Sequence, residues 1–289
     1  MSAQGEPPAT RPASTPTGAP RAPRPGGGLT RMEKGAIGHV IAVGSGKGGV
    51  GKSTVTTLLA AALRRRGLTV GILDADVTGP SVPKLLGLKG PLVDKGEGIE
   101  PAATPGGISV VSSQFMVEDD QTPVIWRGPL VTRLIIQFYA GVNWGPLDYL
   151  LLDMPPGTSD VPLTVFQTIP LDGMVFVFSP QELSALIVQK AMNMARDLHV
   201  PLLGVVENLG YMLCPHCGER VEPFGPSRVE RVAREYGIPL LARLPIDPKV
   251  SVLGDAGETE SYESPETQQL AEALLASLEA AKAGQLTVL

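Results

Sequence analysis

A glycine-rich segment at residues 44–54 constrains the fold of this chain more than any other feature. It reads GSGKGGVGKST, and the pattern G-x-x-x-x-G-K-S runs through it from Gly46 to Ser53. An apolar stretch at 39–43 precedes it, and a helical pattern at 53–66 follows it. Glycines allow successive backbone N–H groups to turn toward one anion, and the N-terminus of a helix adds positive potential. Strand, loop and helix together predict a phosphate-binding P-loop.

The side chains of this loop fit a nucleotide phosphate and a divalent cation. Lys52 supplies a mobile positive charge, and the Ser53 hydroxyl is an oxygen ligand of the kind that Mg²⁺ prefers. A shorter dinucleotide-binding pattern, G-x-G-x-x-G, also fits the segment, but it leaves Lys52 and Ser53 unexplained. An additional lysine, Lys47, precedes Lys52 in the loop, and an ordinary P-loop does not need it. The predicted nucleotide-binding residues of the loop are Gly46, Lys47, Gly48, Gly49, Val50, Gly51, Lys52, Ser53 and Thr54.

Two acidic strand ends are predicted to complete the nucleotide site. Residues 150–153 read LLLD, an apolar strand that ends in a carboxylate, which is typical of a Walker-B element and places Asp153 near Mg²⁺ through water. Residues 73–76 read LDAD, and the two-residue period of a strand predicts that Asp74 and Asp76 lie on the same side. Because two like charges there require a cation or solvent, we assign Asp74 to support of Mg²⁺ and Asp76 to the attacking water.

Strand-like and helical segments alternate through the rest of the chain. The predicted strands are 39–44, 68–73, 108–112, 148–153, 173–178, 202–207 and 239–243. The predicted helices are 53–66, 128–141, 182–198, 226–236 and 265–283. Unbroken apolar strands that alternate with helices predict an α/β fold with a single doubly wound, mainly parallel sheet of seven or eight strands and helices on both faces. Ligands of such sheets bind at the carboxyl ends of the strands.

The composition predicts one large P-loop domain behind a tail. Hydrophobic residues make up 43% and charged residues 18% of the 289 residues, which suits a domain with a substantial core over 36–289. Residues 1–35 are rich in Pro, Ala, Gly, Thr and Arg, and such a segment is predicted to be disordered. Its arginines would suit a transit peptide, but its prolines prevent the amphipathic helix that such peptides form.

Charge and hydropathy narrow the classes of partner. A net charge of −5 argues against general binding to nucleic acid. No apolar run approaches the roughly 18–20 residues that span a bilayer, and the apolar core of a signal peptide is not found. The sequence therefore predicts a cytoplasmic protein with no nucleic-acid partner and no membrane partner.

The two cysteines of the chain, Cys214 and Cys217, lie in the sequence CPHC within a predicted insertion near 211–218. The spacing fits a thioredoxin-like redox pair, but Pro215 and Gly218 disfavour a helix that starts at Cys214. Zinc prefers four N or S ligands, and a cubane iron–sulfur cluster is held by four thiolates. Two chains related by a twofold axis would supply four thiolates. Four thiolates from two chains are compatible with either a shared iron–sulfur cluster or a shared zinc site.

Taken in order, seven segments resemble the Mrp/ApbC-type iron–sulfur cluster carrier ATPases, within the deviant Walker A class that also contains MinD and ParA. The segments are GKGGVGKST (46–54), DADVTGPSVP (74–83), WRGP (126–129), LLLDMPPGTSD (150–160), SPQE (179–182), GVVENLGYMLCPHCG (204–218) and LPIDP (244–248). The resemblance covers about 36–280, and the combination of VVEN with CPHC makes it specific to the family.

The resemblance implies an active site that two subunits share. Lys47 resembles the signature lysine that reaches the nucleotide phosphates of the partner subunit. Together with Lys52 and Asp76, which the motifs above predict, it completes the predicted catalytic residues. Cys214 and Cys217 resemble the ligands of a [4Fe–4S] cluster that bridges two subunits. With the Mg²⁺ residues predicted above, the predicted metal-binding residues are Ser53, Asp74, Asp153, Cys214 and Cys217.

The resemblance also implies contacts to the nucleotide base. Asn208 resembles the asparagine that reads adenine, and an amide matches the N6/N7 edge of adenine with one donor and one acceptor. Pro245 and Asp247 lie in a segment that resembles the family's segment beside the nucleotide base. The implied cofactors are therefore ATP, Mg²⁺ and a [4Fe–4S] cluster.

The implied function is that of a dimeric ATPase that carries an iron–sulfur cluster and transfers it to apo iron–sulfur proteins. One alternative is an ATP-dependent dimeric positioning or partitioning switch, which would need a basic surface or a basic amphipathic terminal helix. The C-terminal sequence LASLEAAKAGQLTVL carries little positive charge. A second alternative is an ATPase whose two subunits are held by zinc and that has no cluster chemistry.

Overall fold

A mainly parallel β-sheet forms the centre of the fold. The computed structural model describes residues 32–94, 96, 98–116, 128–157, 160–180 and 186–284. Its strands are β1 (Ile37–Ser45), β2 (Val70–Asp74), β3 (Val93–Asp94), β4 (Ile99–Glu100), β5 (Ala102–Ala103), β6 (Ser109–Ser112), β7 (Leu147–Asp153), β8 (Gly173–Phe178), β9 (Leu202–Leu213), β10 (Arg220–Val221) and β11 (Leu240–Pro245). Its α-helices are α1 (Lys52–Arg65), α2 (Val82–Leu85), α3 (Gly128–Ala140), α4 (Asp160–Thr168), α5 (Leu186–Asp197), α6 (Val229–Glu235), α7 (Pro248–Ala256) and α8 (Pro265–Lys282).

The topology of the sheet confirms the predicted fold class. Within the described ranges, nine strands are joined, and the parallel part runs in the order β11-β9-β8-β1-β7-β2-β6. The short strands β5 and β10 pair antiparallel with β6 and β9, and β3 and β4 form a separate hairpin. Because β1 lies between β7 and β8, the loop that follows β1 is surrounded by the carboxyl ends of its neighbours.

Each face of the sheet is covered by its own apolar cluster. Alternate residues of β7 belong to different clusters. Leu150 and Leu152 belong to the cluster that includes residues of α3, α4, α5 and α6, whereas Leu151 belongs to the cluster that includes residues of α1, α2 and α8. Side chains of a strand alternate between faces, so a strand that is covered on both faces must be apolar throughout. This burial explains why β7 and β8 read as continuous hydrophobic runs.

Local signals placed most of the long elements correctly. Helix α8 begins at a capping box, in which the Ser264 side chain accepts from Thr267 N and the Thr267 hydroxyl accepts from Ser264 N. The helix predicted at 226–236 is shorter, since α6 covers Val229–Glu235. Helices α2, α4 and α7 were not predicted. For α7 the signal was present, because Asp247 caps it and Pro248 occupies its first position.

Strand β9 differs most from its prediction. The sequence predicts a strand that ends at residue 207, but β9 continues to Leu213 and turns back through β10. Polar residues at Glu207 and Asn208 interrupt the apolar pattern, yet both are buried, with 0% and 7% of their surface exposed. Their hydrogen bonds to other elements make this burial possible.

No helix in the described part of the chain is both long enough and apolar enough to cross a membrane. The division into a tail over 1–35 and a domain over 36–289 stays a prediction. The predictions that concern 1–31, 126–127, 158–159 and 181–185 lie outside the described residues.

Candidate functional site

The P-loop connects the buried strand β1 to helix α1. Gly49 and Gly51 adopt positive φ angles of 86° and 78°, and Gly51 caps the first turn of α1. These left-handed conformations suit glycine and bend the loop around the start of the helix. The first N–H groups of a helix have no acceptor within the helix, so an anion at this point would receive them. Lys47 is exposed on the loop, whereas Val50 is buried beneath it.

Asp153 lies at the centre of the polar cluster behind the loop. It is the last residue of β7 and is fully buried, and the Lys52 ammonium lies 2.7 Å from its Oδ2 atom. The Ser53 hydroxyl donates to Oδ2 at 2.5 Å. The Thr56 hydroxyl donates to Oδ1 at 2.7 Å. The structure therefore brings together Lys52, Ser53 and Asp153. Thr56 was missed, although it lies one helical turn after Lys52 on the same face of α1.

A second buried carboxylate, Asp74, lies beside Asp153. The two aspartates are register partners on β2 and β7. Asp74 accepts from the Ser112 hydroxyl at 3.0 Å and from the backbone N–H of Asp76 at 3.2 Å. Burial, and then the charge of Asp153, raises the pKa of Asp74 to about 8, while Lys52 opposes this shift. Ser112, at the end of β6, was not predicted from the sequence.

Asp76 lies in the loop after β2 and not on the strand, because β2 ends at Asp74. The two-residue strand period used for the prediction therefore does not reach Asp76. Burial raises the pKa of Asp76, and the Thr78 hydroxyl donates to its Oδ1 atom at 3.2 Å. The role of Asp76 toward an attacking water stays a prediction.

The raised pKa of Asp74 leads to a prediction about stability without metal. A carboxyl whose pKa rises from 3.8 to about 8 on folding favours its protonated form in the folded state, so it weakens stability progressively as pH increases between these values. In EDTA at pH 8, we expect Asp74→Asn to raise the free energy of unfolding by about 1–2 kcal/mol. The gain should shrink at pH 5, which thermal melts at the two pH values will measure.

A matched control for this variant is Asp148→Asn at the other end of β7. Asp148 is exposed, and hydrogen bonds from the backbone N–H and the hydroxyl of Thr69 lower its pKa. Removing this carboxylate should lower stability at pH 8, which is the opposite sign. A stabilisation by Asp74→Asn that is equal at both pH values would contradict the expected ionisation.

Asn208 joins strand β9 to the P-loop. Its Nδ2 atom donates to the carbonyl of Val50 at 2.9 Å. Beside it lies a cavity of about 480 Å³. The P-loop side of this cavity is formed by Gly49, Gly51 and Thr54, and the opposite side includes Pro245, Asp247 and Tyr262. The residues predicted to flank the base therefore line one cavity beside the P-loop. Asp247 also accepts from Lys249 N and from the Tyr262 hydroxyl, each at 2.9 Å, which fixes its side chain.

The close approach of Gly51 to Asn208 gives a second prediction. A Cβ atom at Gly51 would lie 2.3 Å from Asn208 Nδ2, whereas a Cβ atom at Gly67 would meet no atom within 4 Å. Both glycines have positive φ, 78° and 85°, so both alanine variants carry similar backbone strain of about 1–3 kcal/mol. We expect Gly51→Ala to weaken binding of Mg·ADP by at least about tenfold and Gly67→Ala to preserve it. Equal affinities measured by calorimetry would contradict this role of Gly51.

The two cysteines lie at the turn of the β9–β10 hairpin. Both are free thiols, with Cys214 half-buried and Cys217 exposed. The turn is closed by Cys214 N, which donates to Glu219 O at 2.8 Å, and by Gly218 N, which donates to Cys214 O at 2.8 Å. Backbone N–H groups of Cys217 and His216, followed by the Cys217 thiol, lower the pKa of Cys214. These donors favour the thiolate, which is the form that binds metals.

One chain does not supply a complete metal site at this hairpin. Among the described residues, no group of three or more His, Cys, Asp and Glu side chains is arranged to hold a metal ion. A single hairpin offers two thiolates, and both zinc and cubane clusters take four protein ligands in their usual structural sites. The donor set therefore fits a thiophilic metal or cluster when a second copy contributes the same pair.

Comparison with known proteins identifies the family. The ParA family model, described as NUBPL iron-transfer P-loop NTPase, matches residues 36–280. The chain belongs to the NUBPL iron-transfer P-loop NTPases. This assignment confirms the family resemblance carried by the P-loop, VVEN and CPHC segments.

Relatives and solved structures agree with membership of the NUBPL family. The iron–sulfur cluster carrier protein of Methanocaldococcus jannaschii is 48% identical over 223 residues, which is 76% of this chain and 77% of that protein. That of Aquifex aeolicus is 44% identical over 242 residues, which is 83% of this chain but 66% of that protein. A nucleotide-binding protein from Archaeoglobus fulgidus, solved with ADP, is 47% identical, with a TM-score of 0.72 over 80% of this chain and 91% of that chain. The cell division ATPase MinD of Pyrococcus furiosus, at 22% identity and a TM-score of 0.58, shares the fold over 85% of this chain and 99% of its own.

Proposed function

We propose that two copies of this chain form an ATP-hydrolysing carrier that binds a [4Fe–4S] cluster between them and delivers it to apo iron–sulfur proteins. The observation that carries the proposal is the pair of thiols at the end of β9, the strand that also holds Asn208 against the P-loop. The relatives named as iron–sulfur cluster carriers support it.

In this proposal, the polar side chains around Asp153 bind the nucleotide and support its hydrolysis. Lys52 would neutralise charge on the β- and γ-phosphates, and Ser53 would hold Mg²⁺, with Asp153 acting through water and Asp74 in support. When bound, Mg²⁺ neutralises the charge that develops on the transferred phosphoryl group. Asp76 would orient the attacking water.

The nucleotide site would also receive a residue from the second subunit of the dimer. Lys47 is exposed on the P-loop, so its ammonium could reach the phosphates bound by a partner subunit and stabilise the charge of the transition state. Asn208, Pro245 and Asp247 would surround adenine in the adjacent cavity. Each subunit would then bind one nucleotide, and its site would receive a lysine from the other subunit.

The cluster is the cargo of this carrier, and four thiolates would hold it. Cys214 and Cys217 of each subunit would meet at a twofold axis, where the lowered pKa of Cys214 favours ligation. A reducing compartment would keep both thiols available. Apo iron–sulfur proteins would then take up the cluster from this exposed hairpin.

Metal analysis of the anaerobically purified protein tests the proposal. After reconstitution with iron and sulfide, we expect about four irons and about four acid-labile sulfides per dimer, with absorbance at about 400 nm. A dimer mass by light scattering should accompany cluster loading. Stoichiometric zinc without labile sulfide, together with failure to load iron, would instead favour the zinc-held ATPase and overturn the carrier.

A further inference from the structure

Strand β9 connects the nucleotide cavity to the cysteine hairpin directly. Asn208 contacts the P-loop at the middle of β9, and Cys214 follows the end of the strand. Residues 215–220 of the hairpin turn are all exposed, so neighbouring elements provide little packing for the turn itself. Side chains at the base of the hairpin therefore contribute strongly to its position.

The first such contact runs through Arg243 on β11. Its Nε atom donates to the fully buried Glu207 of β9 at 2.6 Å, and its Nη2 atom donates to Glu222 at 2.9 Å. Glu222 immediately follows β10, the returning strand of the hairpin. Leu244 and Pro245, which follow Arg243 along β11, line the nucleotide cavity. Arg243 therefore holds the hairpin from a strand whose next residues would face the nucleotide.

The second contact runs through Tyr211 of β9. The Arg220 guanidinium of β10 lies 3.6 Å from the centre of the Tyr211 ring, and the Tyr211 hydroxyl donates to Glu266 at 2.9 Å. The Tyr211 carbonyl accepts from Ile246 N at 2.6 Å, and Ile246 lines the cavity. Glu266 lies in the first turn of α8, whose residue Thr267 also lines the cavity. Tyr211 therefore links the returning hairpin strand to two further walls of the cavity.

We propose that Arg243 and Tyr211 are positioning residues that couple nucleotide occupancy to the geometry of the cysteine hairpin, through the Arg243–Glu222 and Arg220–Tyr211–Glu266 contacts. This inference rests on the proposed function, because it requires that the cavity and the thiols serve one carrier. Dense packing transmits a displacement of the cavity walls to the groups bonded to them. Nucleotide would then change the affinity of the hairpin for its metal, and by linkage metal would change the affinity for nucleotide.

Cobalt binding to the full-length protein measures this coupling. Co²⁺ is titrated anaerobically with and without saturating Mg·ADP, and the thiolate-to-cobalt charge-transfer absorbance reports only metal bound to sulfur. We expect Mg·ADP to change the cobalt dissociation constant of the wild-type protein by about 5- to 150-fold. Binding that is unaffected by Mg·ADP would overturn the inference but leave the metal site intact. Absence of the charge-transfer band would overturn the proposed cysteine site and the inference with it.

Glu222→Gln and Tyr211→Phe test the two contacts separately. The first removes the charge that Arg243 holds on the hairpin and leaves the buried Arg243–Glu207 pair in place, while the second removes the bond to Glu266 and keeps the ring beneath Arg220. We expect each to reduce the coupling factor by about 2- to 30-fold, with little change in the affinity for Mg·ADP alone. Their combination should reduce it further.

Glu219→Gln provides a matched control, since it removes the same charge from the same exposed hairpin. The Glu219 backbone carbonyl, and not its side chain, closes the turn with Cys214 N. We expect wild-type coupling in this variant. Wild-type coupling in Glu222→Gln and Tyr211→Phe as well, or an equal loss in Glu219→Gln, would overturn the assignment of Arg243 and Tyr211.

Discussion

Lys52→Ala is expected to weaken nucleotide binding strongly and to destabilise the fold. The Lys52 ammonium lies 2.7 Å from Asp153 Oδ2, with 7% of the lysine side chain and 0% of the aspartate side chain exposed. Removing one partner of a buried ion pair costs about 3–5 kcal/mol, because the other charge remains buried without its counterion. Here the loss also leaves Asp153 beside Asp74, a second buried carboxylate.

Lys52→Ala should also have a large effect on nucleotide affinity, because it removes the positive charge that would contact the phosphates. We expect the affinity for Mg·ADP to fall by about 100-fold or more, which calorimetric titration will measure at a temperature where the variant is folded. For the effect on stability, Lys47→Ala is the matched control, since it makes the same substitution in the same loop. Lys47 is exposed, so its variant should change stability by less than about 0.5 kcal/mol. Wild-type affinity in Lys52→Ala would contradict the P-loop assignment.

Cys214→Ser and Cys217→Ser are each expected to prevent cluster loading. A single substitution removes one thiolate from each hairpin and two from the proposed shared site, and a cubane cluster needs four ligands. After anaerobic reconstitution, iron should fall from about four per dimer to less than about one, with loss of the absorbance at about 400 nm. Iron and sulfide assays on both variants make the measurement.

These cysteine variants should remain folded. Cys217 is exposed and Cys214 is half-buried at a hairpin turn, so a one-atom change from sulfur to oxygen leaves the core untouched. Unchanged melting temperatures would separate loss of ligation from loss of structure. His216→Ala is the control, because His216 is exposed between the two cysteines. Full loading in either serine variant, or loss of loading in His216→Ala, would overturn the assignment of two thiolates per chain.

Short-range signals explain which parts of the site the sequence could predict. The P-loop depends on glycine conformations and on a helix start, both of which are properties of neighbouring residues. Asp153 was predicted because an apolar strand that ends in a carboxylate is itself a local pattern. The prediction that Asp76 lies on the same side of a strand as Asp74 was wrong. It applied the two-residue period of a strand beyond Asp74, where β2 ends.

Long-range contacts explain what was missed. The strand prediction stopped at residue 207 because a glutamate does not belong to an apolar run. Glu207 is buried because Arg243, from a strand far along the chain, donates to it at 2.6 Å. Thr56 and Ser112 were missed because they belong to the site only through hydrogen bonds to distant residues. Their hydroxyls donate to Asp153 on β7 and to Asp74 on β2, respectively.

The fold class, the P-loop and the pair of thiols follow from the amino-acid sequence alone, since each depends on residue types and spacing within a short segment. The pairing of distant strands, by contrast, shows that β9 continues past Asn208 to Leu213, next to Cys214, and that Asp74 lies beside Asp153. Sheet order and register create these contacts, and they depend on how distant strands pair. Spacing within the sequence does not predict that pairing. A polar residue such as Glu207 can be buried in a strand only because partners from elsewhere in the fold form hydrogen bonds with it.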